Sequence, residues 1–518
     1  MNKLLCAISA SLACLTLQGY DRVSVNLDFV SDLAKQKAEA AYGEDAEPLP
    51  PALRNLTYDD YRNLRFRNSE ALWLGQDYRY IIEFFHPGYI YDQPVLVFET
   101  TDTHVQEIPF QRGFFNYEDT TLSPNEAPDN IGFAGVRIRY PLNMPQVRDD
   151  LIVFQGASYF RALGKGNSYG LSSRALGVGI GKEGEQFPHF TRIWLKKPAD
   201  PNAEKLIVFA LLEGENVTGA YEFTLTPGDE TVVEVRSRIW PLGDTDRLNF
   251  APLTSMFCFG ESSEFPIDDW RPEVHDSDGL LIANGKQWTW RPLKNPTTIT
   301  HQSFPVDQLR GFGLLQRDRR FGSYEDLEAN YENRPSVWVT PEGKWPQGEI
   351  VLVELPTPDE TEDNINAFWK PAEPPANGQF YDLNYRMSWR SSEPNRALAN
   401  VLESRIGQKT LDPQSTSFAI EFSPPKDFKP EQLSELTIDF QADGAPVKTE
   451  PQLRYNKPEN SVRAYFDLSR NTQTAHHLAL TLMRNGEPVS EKWTYLWQPI
   501  KANEHVASNQ RNRLSADQ

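Results

Sequence analysis

Two stretches of the chain carry carboxylates at spacings that could do chemistry. "ELPTPDETEDNINAFWK" (354–370) sets Asp359, Glu360, Glu362 and Asp363 within five positions and closes on Phe368-Trp369. "WRPEVHDSDGLLIANGKQWTWRPL" (270–293) places Asp276 and Asp278 just after His275, with Trp288 and Trp290 following. Carboxyl groups can bond sugar hydroxyls or move protons, and aromatic faces stack on the apolar faces of pyranose rings. A plainer reading competes at both places. Charge runs in loops usually face water, and an Asp-Ser-Asp-Gly run favours a turn by bonding its own backbone.

The elements that must position these acids read as strands. "GEIVLVEL" leads directly into the first acidic stretch, so its carboxylates fall where a strand spills into a loop. From about Tyr78 to Ser391, short alternating runs such as "PVLVFETTD" and "GAYEFTLTPGDETVVEVRSRIW" are separated by turn residues. That pattern predicts an all-β fold, a large antiparallel sandwich over residues 20–391. A helix is predicted over 26–43, where Phe29, Val30, Leu33, Ala34, Ala38 and Ala41 recur at helical spacing and Gly43 stops it. A second, short helix is predicted in "GSYEDLEANYENRP", with Ser323 and Asp326 as a capping box and Pro335 after its end. Residues 392–412 lose the strand pattern and read as a connector. Residues 413–500 suit an immunoglobulin-like sandwich without its Cys pair, with a hairpin turn at Asn485-Gly486. The tail, 501–518, is polar and expected to be loose.

Composition narrows the partners. The 518 residues carry a net charge of −20, which works against nucleic acid or anionic lipid because both require clustered Lys and Arg. A neutral, hydroxyl-rich carbohydrate meets no such repulsion. Residues 1–19 hold one Lys and an apolar run from Leu4 to Leu17, too short to span a bilayer but suited to an export signal; no stable membrane insertion is expected. Cys258 in "SMFCFG" reads as a buried core thiol. The Gly-rich "GVGIGKEG" (177–184) lacks the following helix of a phosphate loop, and G-x-S-x-G is absent. No H-E-x-x-H occurs, and His476 and His477 point to opposite faces of a strand, so neither cofactor nor metal is expected.

Longer blocks carry a resemblance. "QGASYFRALGKGNSYGLSSRAL" (155–176), "APLTSMF" (251–257), "RPEVHDSDGL" (271–280), "GFGLLQRDR" (311–319), "YEDLEANYENRPSVWV" (324–339) and "PTPDETEDNINAFW" (356–369) resemble the bacterial periplasmic glucans biosynthesis proteins G and D, and the start of the chain is closer to the G branch. The resemblance implies a galactose-mutarotase-like β-sandwich followed by an immunoglobulin-like domain, export to the periplasm, and a β-1,2-linked glucan as partner. It implies inverting glycoside hydrolysis, with Asp363 as general acid and Asp276 as general base acting through water. Glu360, Tyr331, Arg334 and Trp369 are candidates for sugar contact, and Tyr159, Arg161 and Tyr169 join them by resemblance alone. Two functions follow as expectations: an inverting endo-β-1,2-glucanase or transglycosylase, or a non-catalytic factor guiding nascent glucan from a membrane synthase. A mutarotase-type epimerase would rest on fold analogy alone.

Overall fold

The computed structural model describes residues 20–21, 23–40, 42–43, 48–129, 131–264, 267–472 and 474–498. The expected signal, 1–19, and tail, 501–518, lie outside the described residues. The fold is all-β, built from stacked, mostly antiparallel sheets with few and mostly short helices.

One sheet takes its centre from long strands, His189–Lys196, Leu206–Gly214, Val217–Thr226, Thr231–Pro241 and Tyr381–Arg390, laid side by side. Their alternation is strict: Thr231–Pro241 buries every second residue from Thr231 to Pro241. A second sheet of ten strands covers its inner face. In it Ile365–Pro371 runs between Gly348–Glu354 and Leu248–Ser255. Between the two sheets lies a core of Val, Leu, Ile and aromatic side chains from both. Burial of this size is the main driving force for the fold.

The predicted first helix spans Leu27–Ala38, and the Asn26 side chain accepts from the Phe29 N–H to satisfy one of its free donors. Val30 and Ala34 pack it against the outside of the long strands, beside Trp194 and Phe209. The second helix differs from expectation. A single turn, Phe321–Tyr324, ends at Glu325 in the left-handed region, so Ser323 lies inside the turn and caps nothing. Asp326 does its own capping, accepting the Glu328 and Ala329 N–H groups at 2.8 Å each.

The connector expected at 392–412 is largely a strand, Val401–Lys409, paired with Asp412–Phe422. Its polar run hid this because only Val401, Ser404 and Ile406 are buried. The C-terminal strands form a four-stranded sheet and a second layer that continues the large sheet, since Lys492–Trp497 pairs in parallel with Gln287–Pro292. Trp288, Trp290, Leu315 and Trp338 accordingly share a core with Phe418, Phe466 and Trp493. At this seam Arg317 lies 3.4 Å over the Trp290 ring and bonds Glu491 at 2.6 and 3.1 Å, both side chains buried.

Candidate active site

The acidic loop 355–364 owes its shape to Asn364. This buried amide accepts the Phe257 N–H at 2.8 Å and donates to the carbonyls of Phe257 and Leu355 at 3.0 Å each. The loop is thereby pinned to two neighbouring strands, and Asp363, one residue earlier, is held at its inner end. The Asp363 side chain is exposed to solvent, although protein crowds around it. Desolvation there pushes its carboxyl above the usual range, while Arg161, Arg174 and Arg334 oppose the shift.

Asp276 arrives from the other acidic block, in the turn after the strand Val274–His275, where its N–H donates to the Met256 carbonyl at 2.8 Å. It is 3% exposed. Arg334 forms an ion pair with its Oδ1. Burial raises the carboxyl to about 6; Arg334 restrains it, Asp363 pushes it further up and Arg161 opposes. Asp276 thus feels the charge of Asp363, and Arg161 and Arg334 act on both acids. The structure brings them together across 87 positions of chain, counting from 276 to 363.

Arg334 is placed with care. It follows the turn Tyr331–Asn333 and sits 4.2 Å over the Tyr331 ring. Gly170 lies beneath its stem, where a Cβ would stand 2.9 Å from the Arg334 Cβ, so only glycine lets it pass undisturbed. Ser168 N and the Asn167 side chain both bond the Asn333 carbonyl at 3.1 Å, tying the "GNSYG" block to this turn.

The remaining candidates divide. Tyr159 stacks with Arg174 at 4.9 Å, and Arg174 is further held by Phe187 at 5.1 Å, Glu185 at 2.6 Å and Asn366 at 3.1 Å. Arg161 lies 5.9 Å from the Tyr169 ring, whose hydroxyl donates to Asp150 at 2.9 Å. Glu360 faces the site indirectly, pairing with Arg271 at 2.7 Å. Tyr331 is 1% exposed and packs with Tyr324, Cys258 and Met256; it supports Arg334 and offers sugar no face. Trp369 is a correction. It shares its strand face with Ile365 and Ala367, is fully buried, and packs on Trp345 and Phe250, where no sugar reaches. Trp288 and Trp290 belong to the second core for the same reason. Asp359 ends its own turn by accepting from Thr361, and like Glu362 it is exposed.

Asp276 and Asp278 part company. Asp278 Oδ2 accepts the N–H groups of Arg317 and Asp318, and its other oxygen faces His275 at 3.6 Å. His275 is fully buried between Gln316 at 2.9 Å and Glu273 at 2.8 Å. Burial alone would lower its pKa, but Asp278, Glu273 and Glu261 outweigh that and hold it at about 9. Among the described residues, Glu273, His275 and Asp278 form the group whose donor set would suit a metal, all ligand atoms lying within 4.8 Å of one another. Arg174 was not singled out in the sequence reading, although it stands in the quoted "SSRAL"; a buried arginine beside an acid cannot be told from a surface one without the fold. A cavity of about 300 Å³ at the seam with the C-terminal strands contains none of these residues.

Fold and site together define an all-β protein with two carboxylates, Asp276 buried and Asp363 exposed, set among arginines. Residues 26–497 match the family model for periplasmic glucan biosynthesis protein, MdoG, and the chain belongs to that family. It is similar to the glucans biosynthesis protein G of Ralstonia nicotianae, 42% identical over 422 residues, which are 81% of each chain. The Bradyrhizobium diazoefficiens protein of the same name is 39% identical over 91% of this chain and 93% of its own length. That of Vibrio cholerae is 38% identical over 92% and 87%. Membership assigns the chain a role in glucan biosynthesis. Among the described residues no helix is long and apolar enough to cross a membrane.

Proposed function

We propose that the protein works in the periplasm on a β-1,2-linked glucan backbone, as an inverting endo-β-1,2-glucanase or transglycosylase that needs no cofactor. The observation that carries this reading is that Arg161 and Arg334 act on both Asp276 and Asp363, which come from distant blocks, and that the charge of Asp363 reaches Asp276. Asp363, raised by desolvation, donates its proton to the leaving glycosidic oxygen. Asp276, kept ionised near neutrality by Arg334, takes a proton from the attacking water or sugar hydroxyl on the opposite face of the ring. The C1–O bond to the leaving sugar breaks as the new C1–O bond forms, and the anomeric configuration inverts. Linear β-1,2-glucan incubated with the protein should yield shorter chains whose new ends appear first as the α-anomer by NMR. β-Anomers appearing first would exclude inversion.

One observation favours a second reading. Arg161, Arg174 and Arg334 all resist protonation of Asp363, which suits a glucan-binding or assembly factor that receives the nascent chain from a membrane synthase. Glucan bound but never shortened at high protein concentration would select that function.

A further inference from the structure

Of the twelve Trp residues, ten are buried and Trp240 is half-buried against Phe380, whereas Trp270 is 70% exposed. An indole left in water forgoes most of the stabilisation its burial would bring, and nothing in the core calls for one here. Its location explains it. The next residue, Arg271, lies 5.9 Å from the Trp270 ring and is saturated by three carboxylates. Asp269 binds it in bidentate fashion at 3.1 and 2.9 Å, Asp326 at 2.9 Å, and Glu360 at 2.7 Å. The Arg271 N–H also donates to Asp269 at 2.9 Å. The backbone that carries Trp270 is therefore rigid, and through Glu360 it is fastened to the acidic loop three residues ahead of Asp363.

We infer that Trp270 is a stacking platform at the rim of the site, receiving the apolar face of a glucose ring on one side of the bond to be cleaved. The inference rests on the proposed action on glucan. An exposed indole suits a pyranose, whose C–H groups lie on one face while its hydroxyls point outward to water and to neighbouring acids. A rigid mount lowers the entropy lost on binding, so the ring positions the chain as well as adding affinity. Trp270 touches neither acid and is a positioning residue.

The test uses the full protein and linear β-1,2-glucan, with binding measured by calorimetry and Trp270 followed by acrylamide quenching of tryptophan emission. Stacking predicts that glucan shields the one strongly quenched tryptophan. Trp270→Ala should remove that shielding, weaken binding about 5–10-fold and leave the fold's melting temperature unchanged, while Trp270→Tyr should restore most of the affinity. If glucan binds equally well to Trp270→Ala and the quenching is unaltered in the parent, the platform is refuted while the proposed function stands. If the parent binds no glucan by calorimetry, both fall.

Discussion

Replacing Arg334 by Met keeps the apolar stem of the side chain but removes the guanidinium, which lies over Tyr331 and, among the described residues, is the one paired directly with Asp276. The pair is largely desolvated, with the two side chains 18% and 4% exposed, so solvent does little to screen it. An opposite charge at such range lowers a carboxyl pKa by about 1–3 units. Asp276 already stands at about 6 with Arg334 in place. Without it, the ionised fraction at pH 7 should fall from about nine-tenths to between about one half and one hundredth. Cleavage of linear β-1,2-glucan at neutral pH should drop by the same factor, about twofold to a hundredfold. Arg334 also restrains Asp363, so the alkaline limb should move upward with the acidic one. The assay is the appearance of new reducing ends from about pH 5 to about pH 9. A profile displaced to higher pH, with activity recovering there, is the expected result. An unshifted profile, whatever its height, would refute the electrostatic role and leave Arg334 a substrate contact or a structural residue.

Three further outcomes follow from the packing. Arg317→Met should strand Glu491, a fully buried carboxylate, with Arg396 alone, costing about 3–5 kcal/mol in urea denaturation; in the parent, residues 392–412 should resist limited proteolysis because the strand Val401–Lys409 runs through them. His86 is buried, its ring bonded to the Pro87 carbonyl and the Tyr117 hydroxyl, and burial lowers it from 6.5 to about 4. The unfolded chain therefore takes up that proton first as pH falls, so stability present above about pH 6.5 is lost progressively down to about pH 4, about 3 kcal/mol in all. Urea midpoints across that window should decline less in His86→Gln.

The sequence made local pattern legible and left long-range neighbours obscure. The helix at Leu27–Ala38 was visible because its apolar spacing is local, although it ends before the expected stop at Gly43, and the Asn485-Gly486 turn because both residues need a positive φ, 54° and 80° here. Long-range pairing was not visible. The parallel contact of Thr289 and Trp290 with Lys492 and Trp493 joins strands about 200 positions apart, so one layer of the large sandwich continues into the C-terminal strands. Of the candidate site, Asp276 and Asp363 were named through the resemblance, while three tryptophans named beside them lie in cores. Trp369, Trp288 and Trp290 all serve cores, and the exposed Trp270 opened the very block from which Asp276 was read. Trp369 alternates in step with Ile365 and Ala367, but Asn366 and Phe368 on the other face are buried too, so alternation alone did not mark it as core. Trp270 carries no such signal, because its exposure depends on the carboxylates that gather around Arg271 from three separate segments.

The account depends most on Asp363 as the proton donor. Asp363→Asn preserves size and one acceptor but carries no acid proton, so it isolates that role. Cleavage of linear β-1,2-glucan by this variant should fall by about 10² or more, with glucan affinity retained within a few-fold and Asp359→Asn behaving like the parent. Cleavage by Asp363→Asn at the parent's rate would contradict the mechanism outright.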